Sequence, residues 1–127
     1  MKMFYKRVPG AALGLLLVLG VNASWAHGDA KPRHGGIVQT VNDVTVELVA
    51  QPGAAWVYVA DHGKPVAPAG MGGKLAVLRG SEKTEYPLTV AQDRLEAPGA
   101  ALGRGAKVVV VLTAAGQKTI TARFSIK

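Results

Sequence analysis

The 127-residue chain contains no cysteine. That excludes disulfides, thiolate metal sites and cysteine nucleophiles. A small exported domain often leans on disulfides, so this one must rest on its core and its hydrogen bonds. Serine is scarce as well: Ser24, Ser81 and Ser125 are the whole supply, and none sits in a nucleophile elbow. The 8 acidic residues fall in strands and turns, with no pair placed for acid–base work. Gly70-Met71-Gly72-Gly73-Lys74 has the wrong spacing for a phosphate loop and leads into a strand rather than a helix. These shortages predict a chain that is not an enzyme. Aromatics make up only 6% of residues, and the basic residues stand singly without interleaved rings, which argues against nucleic acid as a partner.

Long hydrophobic runs are also missing. The longest, Ala11 to Val21, is broken by two Gly and falls short of the ~20 apolar residues a membrane span needs. Lys2, Lys6 and Arg7 precede it, and Ser24 and Ala26 supply small residues where a signal peptidase reads. Residues 1–26 therefore read as a cleaved secretion signal, which predicts export to the periplasm and no stable span after cleavage. Cleavage removes three of the 15 basic residues and none of the 8 acidic ones, leaving a formal excess of four positive charges. The remaining length is that of one small domain. Residues 27–35 form a leader rich in charge, Gly and Pro, expected to be flexible. Residues 36–127 form the domain.

Within that domain the pattern is one of short strands between Gly, Pro and Asp punctuation. Val44 to Leu48 alternates apolar and polar, with Val44, Val46 and Leu48 inward. Ala55 to Ala60 sets Val57 and Val59 on one face and Trp56 and Tyr58 on the other. Asn42-Asp43 and Asp61-His62-Gly63-Lys64-Pro65 read as turns, and Val66 to Gly73 as a loop centred on Met71. Lys74 to Arg79 and Thr84 to Val90 follow, the latter carrying Pro87, which argues for an edge or a bulge. Lys107 to Thr113 and Lys118 to Ile126 form the clearest hairpin, with Ile120, Ala122, Phe124 and Ile126 on one face. No helical period is present. About seven closely spaced strands predict an all-β fold, a small antiparallel β-sandwich of the immunoglobulin-like or Greek-key kind, with a small barrel as the alternative.

The candidate chemistry lies in the three histidines. Cleavage after Ala26 would make His27 the N-terminus, offering its amine and its ring to one ion. His34 follows in the leader, and His62 sits in a turn. Asp29 and Asp61 add oxygen donors, and Met71 adds a thioether. Imidazole suits Cu(II), Zn(II) and Ni(II), while a thioether favours Cu(I). Each residue also has an ordinary role: polar leader residues, turn formers that bond their own backbone, and a Met that fills a core gap. Likewise Trp56 and Tyr58 fill space, or mark a protein-binding patch if exposed.

Five segments together carry a resemblance. They are Pro32-Arg33-His34-Gly35-Gly36-Ile37-Val38, Val46-Glu47-Leu48-Val49, Tyr58 to Val66 with its Asp-His-Gly-Lys-Pro turn, Gly73 to Leu78, and Arg94-Leu95-Glu96-Ala97. This set resembles a family of small periplasmic proteins encoded near heavy-metal efflux pumps of the resistance-nodulation-division type in Gram-negative bacteria. The resemblance implies a part in heavy-metal resistance, with a transition-metal ion and an efflux adaptor or pump as partners. Small periplasmic copper-resistance sandwiches use a mature N-terminal His with further His and Asp ligands. By that analogy His27, Asp29, His34 or His62 would serve here. Met71 is the one Met left after cleavage, which speaks against a Met-cluster Cu(I) carrier. The expectation is a metal-binding carrier or sensor, with Cu(II) first and Zn(II) or Ni(II) as competitors. The alternative is an interaction module that docks on an efflux adaptor without metal.

Overall fold

The computed structural model describes residues 30–114 and 118–127. The expected signal and cleavage site, with His27 and Asp29, lie outside the described residues. So does the tip of the last hairpin.

Ten strands follow in order: β1 (Ile37–Val41), β2 (Val44–Gln51), β3 (Ala54–Asp61), β4 (Lys64–Pro65), β5 (Gly72–Arg79), β6 (Glu82–Pro87), β7 (Thr89–Ala91), β8 (Arg94–Pro98), β9 (Lys107–Thr113) and β10 (Thr119–Ser125). They form a β-sandwich. One sheet runs β1-β2-β3-β8-β7, with β4 also paired to β3, and the other runs β10-β9-β5-β6. Every pairing is antiparallel. The strand count exceeds the sequence reading because short strands hide within segments rich in turn residues and because one expected strand is two.

That division falls at Pro87. Thr84 to Val90 reads as a single strand, yet β6 ends at Pro87 in the second sheet and β7 begins at Thr89 in the first. Pro87 has no N–H to continue a ladder. Leu88 carries the chain across the sandwich. Its side chain is buried in the core, and its N–H donates to the Gly73 carbonyl at 3.0 Å.

Alternation decides which face looks inward. Val46 and Leu48 of β2, Val57 and Val59 of β3, Leu75 and Val77 of β5, Val108, Val110 and Leu112 of β9, and Ile120, Ala122 and Phe124 of β10 fill the interior. A one-residue slip in any of these strands would turn its apolar set to solvent, at about 1.5–3 kcal/mol per large side chain, so the register is firmly fixed. Met71 packs against this core, as does Val44. Among the described residues no helix is long and apolar enough to cross a membrane.

Two tight turns share one end of the first sheet. Asn42 and Asp43 join β1 to β2, and His62 and Gly63 join β3 to β4. All four have positive φ, between 50° and 83°. That is the conformation of the two-residue hairpin turn whose twist matches the flanking strands. Asn, Asp and His tolerate it better than most side chains, which is why these residues stand there. The His62 N–H donates to the Asp43 carbonyl at 2.9 Å and ties the two turns together.

Candidate functional site

The outer face of the first sheet is built from the side chains that alternate away from the core. Val38 of β1, Glu47 of β2 and Tyr58 of β3 form one row across it. Val49, Trp56 and Glu96 form the next. The leader crosses above the first row and hides Glu47, which is only 4% exposed and is the one buried charged residue described. Its carboxylate accepts three backbone hydrogen bonds: Arg33 N–H to Oε1 at 3.0 Å, His34 N–H to Oε2 at 2.9 Å, and Gly36 N–H to Oε2 at 2.8 Å. Consecutive amides converging on one anion form a nest, and a left-handed residue is what lets them converge. Gly35, at φ +77°, supplies it. Gly36 must also lack a side chain, because a Cβ there would lie 2.9 Å from the Leu48 carbonyl carbon and 2.9 Å from Val49 Cγ2.

This clamp decides where the leader's side chains go. The His34 ring stacks on Tyr58, with centroids 3.6 Å apart and planes 10° from parallel. The Arg33 guanidinium reaches along β3 and donates to the Gly63 carbonyl, in the turn that carries His62. Leader residues Ala30 to His34 form one wall of a cleft of about 500 Å³. Tyr58, Val59, Pro65, Val66, Ala67 and Asp93 are among the other residues that line it.

Beside the cleft, the Arg94 guanidinium lies 3.7 Å from the centre of the Trp56 ring. Its Nε donates to Glu96 Oε2 at 2.8 Å. Partial burial works to lower the Arg94 pKa, but the hydrogen bond and charge of Glu96, with a smaller part from Tyr58, outweigh it and raise it above the ordinary value. Trp56 and Tyr58 therefore lie half-buried under Arg94 and His34 and do not form an open aromatic patch.

His62 sits between two carboxylates. Its Nδ1 is 2.6 Å from Asp61 Oδ1, and its Nε2 is 3.5 Å from Asp43 Oδ2. All three side chains are more than half exposed, so water screens these pairs and they add little stability. The arrangement has another use. A carboxylate on one ring nitrogen of a His fixes the tautomer and frees the other nitrogen to bind a metal. Asp61 plays that part toward Nδ1. Nε2 and Asp43 Oδ2 then stand near the ~3 Å separation of two adjacent ligands bonded to one ion at ~2.1 Å. Asp61 and Asp43 address opposite sides of the ring, so they do not share a point. Among the described residues no three His, Asp or Glu side chains gather around a single position.

The expected donors are thus distributed. His62 and Asp61 are adjacent and hydrogen-bonded. His34 is four residues back along β3, on Tyr58, roughly 13 Å away at strand rise. The leader does fold back along the sheet, but Arg33 rather than His34 touches the turn. The thioether of Met71 is taken up in packing against the core. His27 and Asp29 are outside the described residues. Two residues of the candidate site escape sequence reasoning: Asp43 as a partner of His62, and Glu47 as the holder of the leader. Asp43 carries the signature of a plain turn former. Glu47 occupies a position that strand alternation assigns to solvent.

No family model matches the chain, and no curated protein matches it in sequence. A solved carbohydrate-binding module, the Br derivative of BhCBM56, is similar at 15% identity and a TM-score of 0.44, over 71% of this chain and 99% of that chain. That likeness carries no argument about what this chain binds.

Proposed function

We propose that this chain is a non-enzymatic periplasmic protein that binds a divalent transition metal, Cu(II) before Zn(II) or Ni(II). It would serve heavy-metal resistance as a carrier or sensor that meets an efflux adaptor or pump. The observation that supports this reading is the course of the leader. Glu47 holds it to the sheet, and Arg33 carries it to the turn where His62 faces Asp43 with Asp61 behind the ring. His62 Nε2 and the Asp43 carboxylate offer two donors of the mixed nitrogen and oxygen kind that Cu(II) accepts. The further donors that this reading calls on, His27 and Asp29, lie outside the described residues.

The test is calorimetric titration of the chain beginning at His27 with Cu(II). A variant with His27, His34 and His62 all changed to Ala is the comparison. The reading requires binding at least tenfold tighter in the wild type. Equal affinities would sink it.

A second reading is favoured by the cleft of about 500 Å³ between the leader and β4. Its size suits a partner's side chains or a short segment of an efflux adaptor, with the histidines incidental. Adaptor capture that persists in the triple His variant and in the presence of chelator would support docking without metal.

A further inference from the structure

The basic residues stand singly in the sequence, yet the fold gathers them on one side. Strands of the second sheet carry Lys74, Arg79, Lys83, Lys107 and Arg123 against Glu82 and Glu85. Strands of the first sheet carry Lys64 and Arg94 against Glu47, Asp61 and Glu96. The two sheets therefore differ in the sign of their charge.

Alternation puts most of the positive charge on one flat face. Val108, Val110 and Leu112 point inward, which leaves Lys107, Val109 and Val111 outside. Across the strands, one outward row runs Arg123, Val109, Ala76 and Glu85. The next runs Ser125, Lys107, Leu78 and Lys83. Lys74 stands beside Val111 in the row on the other side. At strand spacings the face is a patch roughly 14 Å on a side. Val109, Val111 and Leu78 form its half-buried apolar centre. Its carboxylate, Glu85, is held by Lys74 Nζ at 3.2 Å and by Lys83 Nζ at 3.3 Å. Lys107 and Arg123 are exposed and have no acidic partner among the described residues.

We propose that the outer face of the second sheet docks on an anionic phospholipid bilayer. The partner's chemistry follows from what the face lacks and what it holds. Among the described residues its outward positions hold no aromatic ring, the group that anchors many protein interfaces and on which nucleic-acid bases stack. It offers point charges on a flat surface instead. Lys107 lies about 8 Å from Arg123 and about 10 Å from Lys83 along the sheet, close to the ~8 Å Debye length at physiological salt. Lys and Arg lay their methylene stems along apolar surface and keep their charged heads in the polar layer, here the layer of lipid phosphates. Each such cation near an anionic bilayer raises binding about fivefold. The contact is peripheral, and it turns the first sheet, with its leader cleft and His62 turn, away from the lipid. It is independent of the metal-binding reading.

The experiment is co-sedimentation with vesicles of phosphatidylglycerol and phosphatidylcholine in equal parts, and with vesicles of phosphatidylcholine alone, at low and high salt. The chain begins at His27, because the apolar run before it would bind lipid by itself. The core cluster is built from residues 41–126, and a cooperative thermal transition checks that each variant is folded. The test variant carries Lys107→Gln and Arg123→Gln. The control carries Lys31→Gln and Lys64→Gln, which remove the same charge from the leader and the first sheet. Wild type should bind only the anionic vesicles and leave them at high salt. The test variant should bind about twenty-five-fold more weakly and the control under about threefold more weakly. Equal losses in the two variants would mean that net charge acts rather than a face, and would overturn the proposal. A test variant that binds like wild type, or wild type that binds phosphatidylcholine alone, would also overturn it. So would wild type that ignores the anionic vesicles at low salt; if that chain instead holds polyglutamate through Lys107 and Arg123, the face belongs to an acidic protein.

Discussion

Two neighbouring glycines at the start of β5 give a sharp test of the packing. Gly73 has φ +146°, and a Cβ there would fall inside the Val111 carbonyl oxygen, 3.0 Å from its carbon and 3.1 Å from Leu112 Cα. These are backbone atoms of β9, the strand paired with β5 over seven register positions, so they cannot yield cheaply. The easier escape for Gly73→Ala is to peel Gly72 and Gly73 away from Thr113 and Leu112. That also breaks the bond from the Leu88 N–H, which anchors the crossing between sheets. Losing two or three backbone hydrogen bonds at about 1 kcal/mol each costs about 2–3 kcal/mol. For a domain of this size that lowers Tm by roughly 8–24 °C. Gly72→Ala is the control, because nothing lies within 4 Å of its Cβ position. It should be neutral or slightly stabilising, by up to about 1 kcal/mol, through the unfolded chain. Thermal denaturation followed by circular dichroism reads both. A Gly73→Ala protein within 1 kcal/mol of wild type (about the cost of one hydrogen bond) would refute the close approach of β5 and β9.

Gly36→Ala should push the leader off β2 and cost about 1.5–3 kcal/mol, the range of one charge-assisted bond to Glu47, and nuclear magnetic resonance should show the His34–Tyr58 stack lost. Arg94→Leu, made in the chain beginning at His27 so that Trp56 is its sole Trp, removes the cation above that ring. Its fluorescence emission should shift and quench differently, while the core transition stays cooperative. Glu85 has its carboxyl pKa lowered by hydrogen bonds from Lys74 and then Lys83. Its contribution is therefore present above the ordinary carboxylate range and lost as pH falls through the lowered pKa. Glu85→Gln should lower Tm slightly at neutral pH and low salt, and not at acid pH where the wild-type group is already protonated.

The interior was readable because burial imposes a period. Val46, Leu48, Val57, Ile120 and Phe124 all lie inside, each on a face that alternation sets apart. So was the sandwich, from close-spaced strands with turn residues between. What alternation does not carry is the change of sheet at Leu88, since an apolar residue after Pro87 reads the same whether the strand bulges or crosses. Nor does it mark β4, whose two residues pair only because the His62-Gly63 turn is tight enough to bring Pro65 back onto Ala60. The outer face was harder still. Glu47 sits where the period puts a solvated residue, and only the leader's return buries it. The coupling runs over eleven to fourteen residues of sequence, between an amide nest and a carboxylate. Gly35-Gly36 was its visible trace, because two adjacent glycines before a strand signal a backbone with special demands. His62 and Asp61 were legible as a pair. Asp43 was not, since it belongs to another hairpin that is brought alongside by the sheet.

The most direct test of a metal site at the junction of leader and turns is a Cu(II) titration followed by nuclear magnetic resonance. Cu(II) broadens the signals nearest to it. At low metal-to-protein ratio, Asp43, Asp61, His62 and Gly63 should broaden first, with the leader residues from Ala30 to His34. The strands β9 and β10, on the far sheet, should remain sharp. Broadening confined to the leader with the His62 turn untouched, or spread evenly over both sheets, would contradict the account.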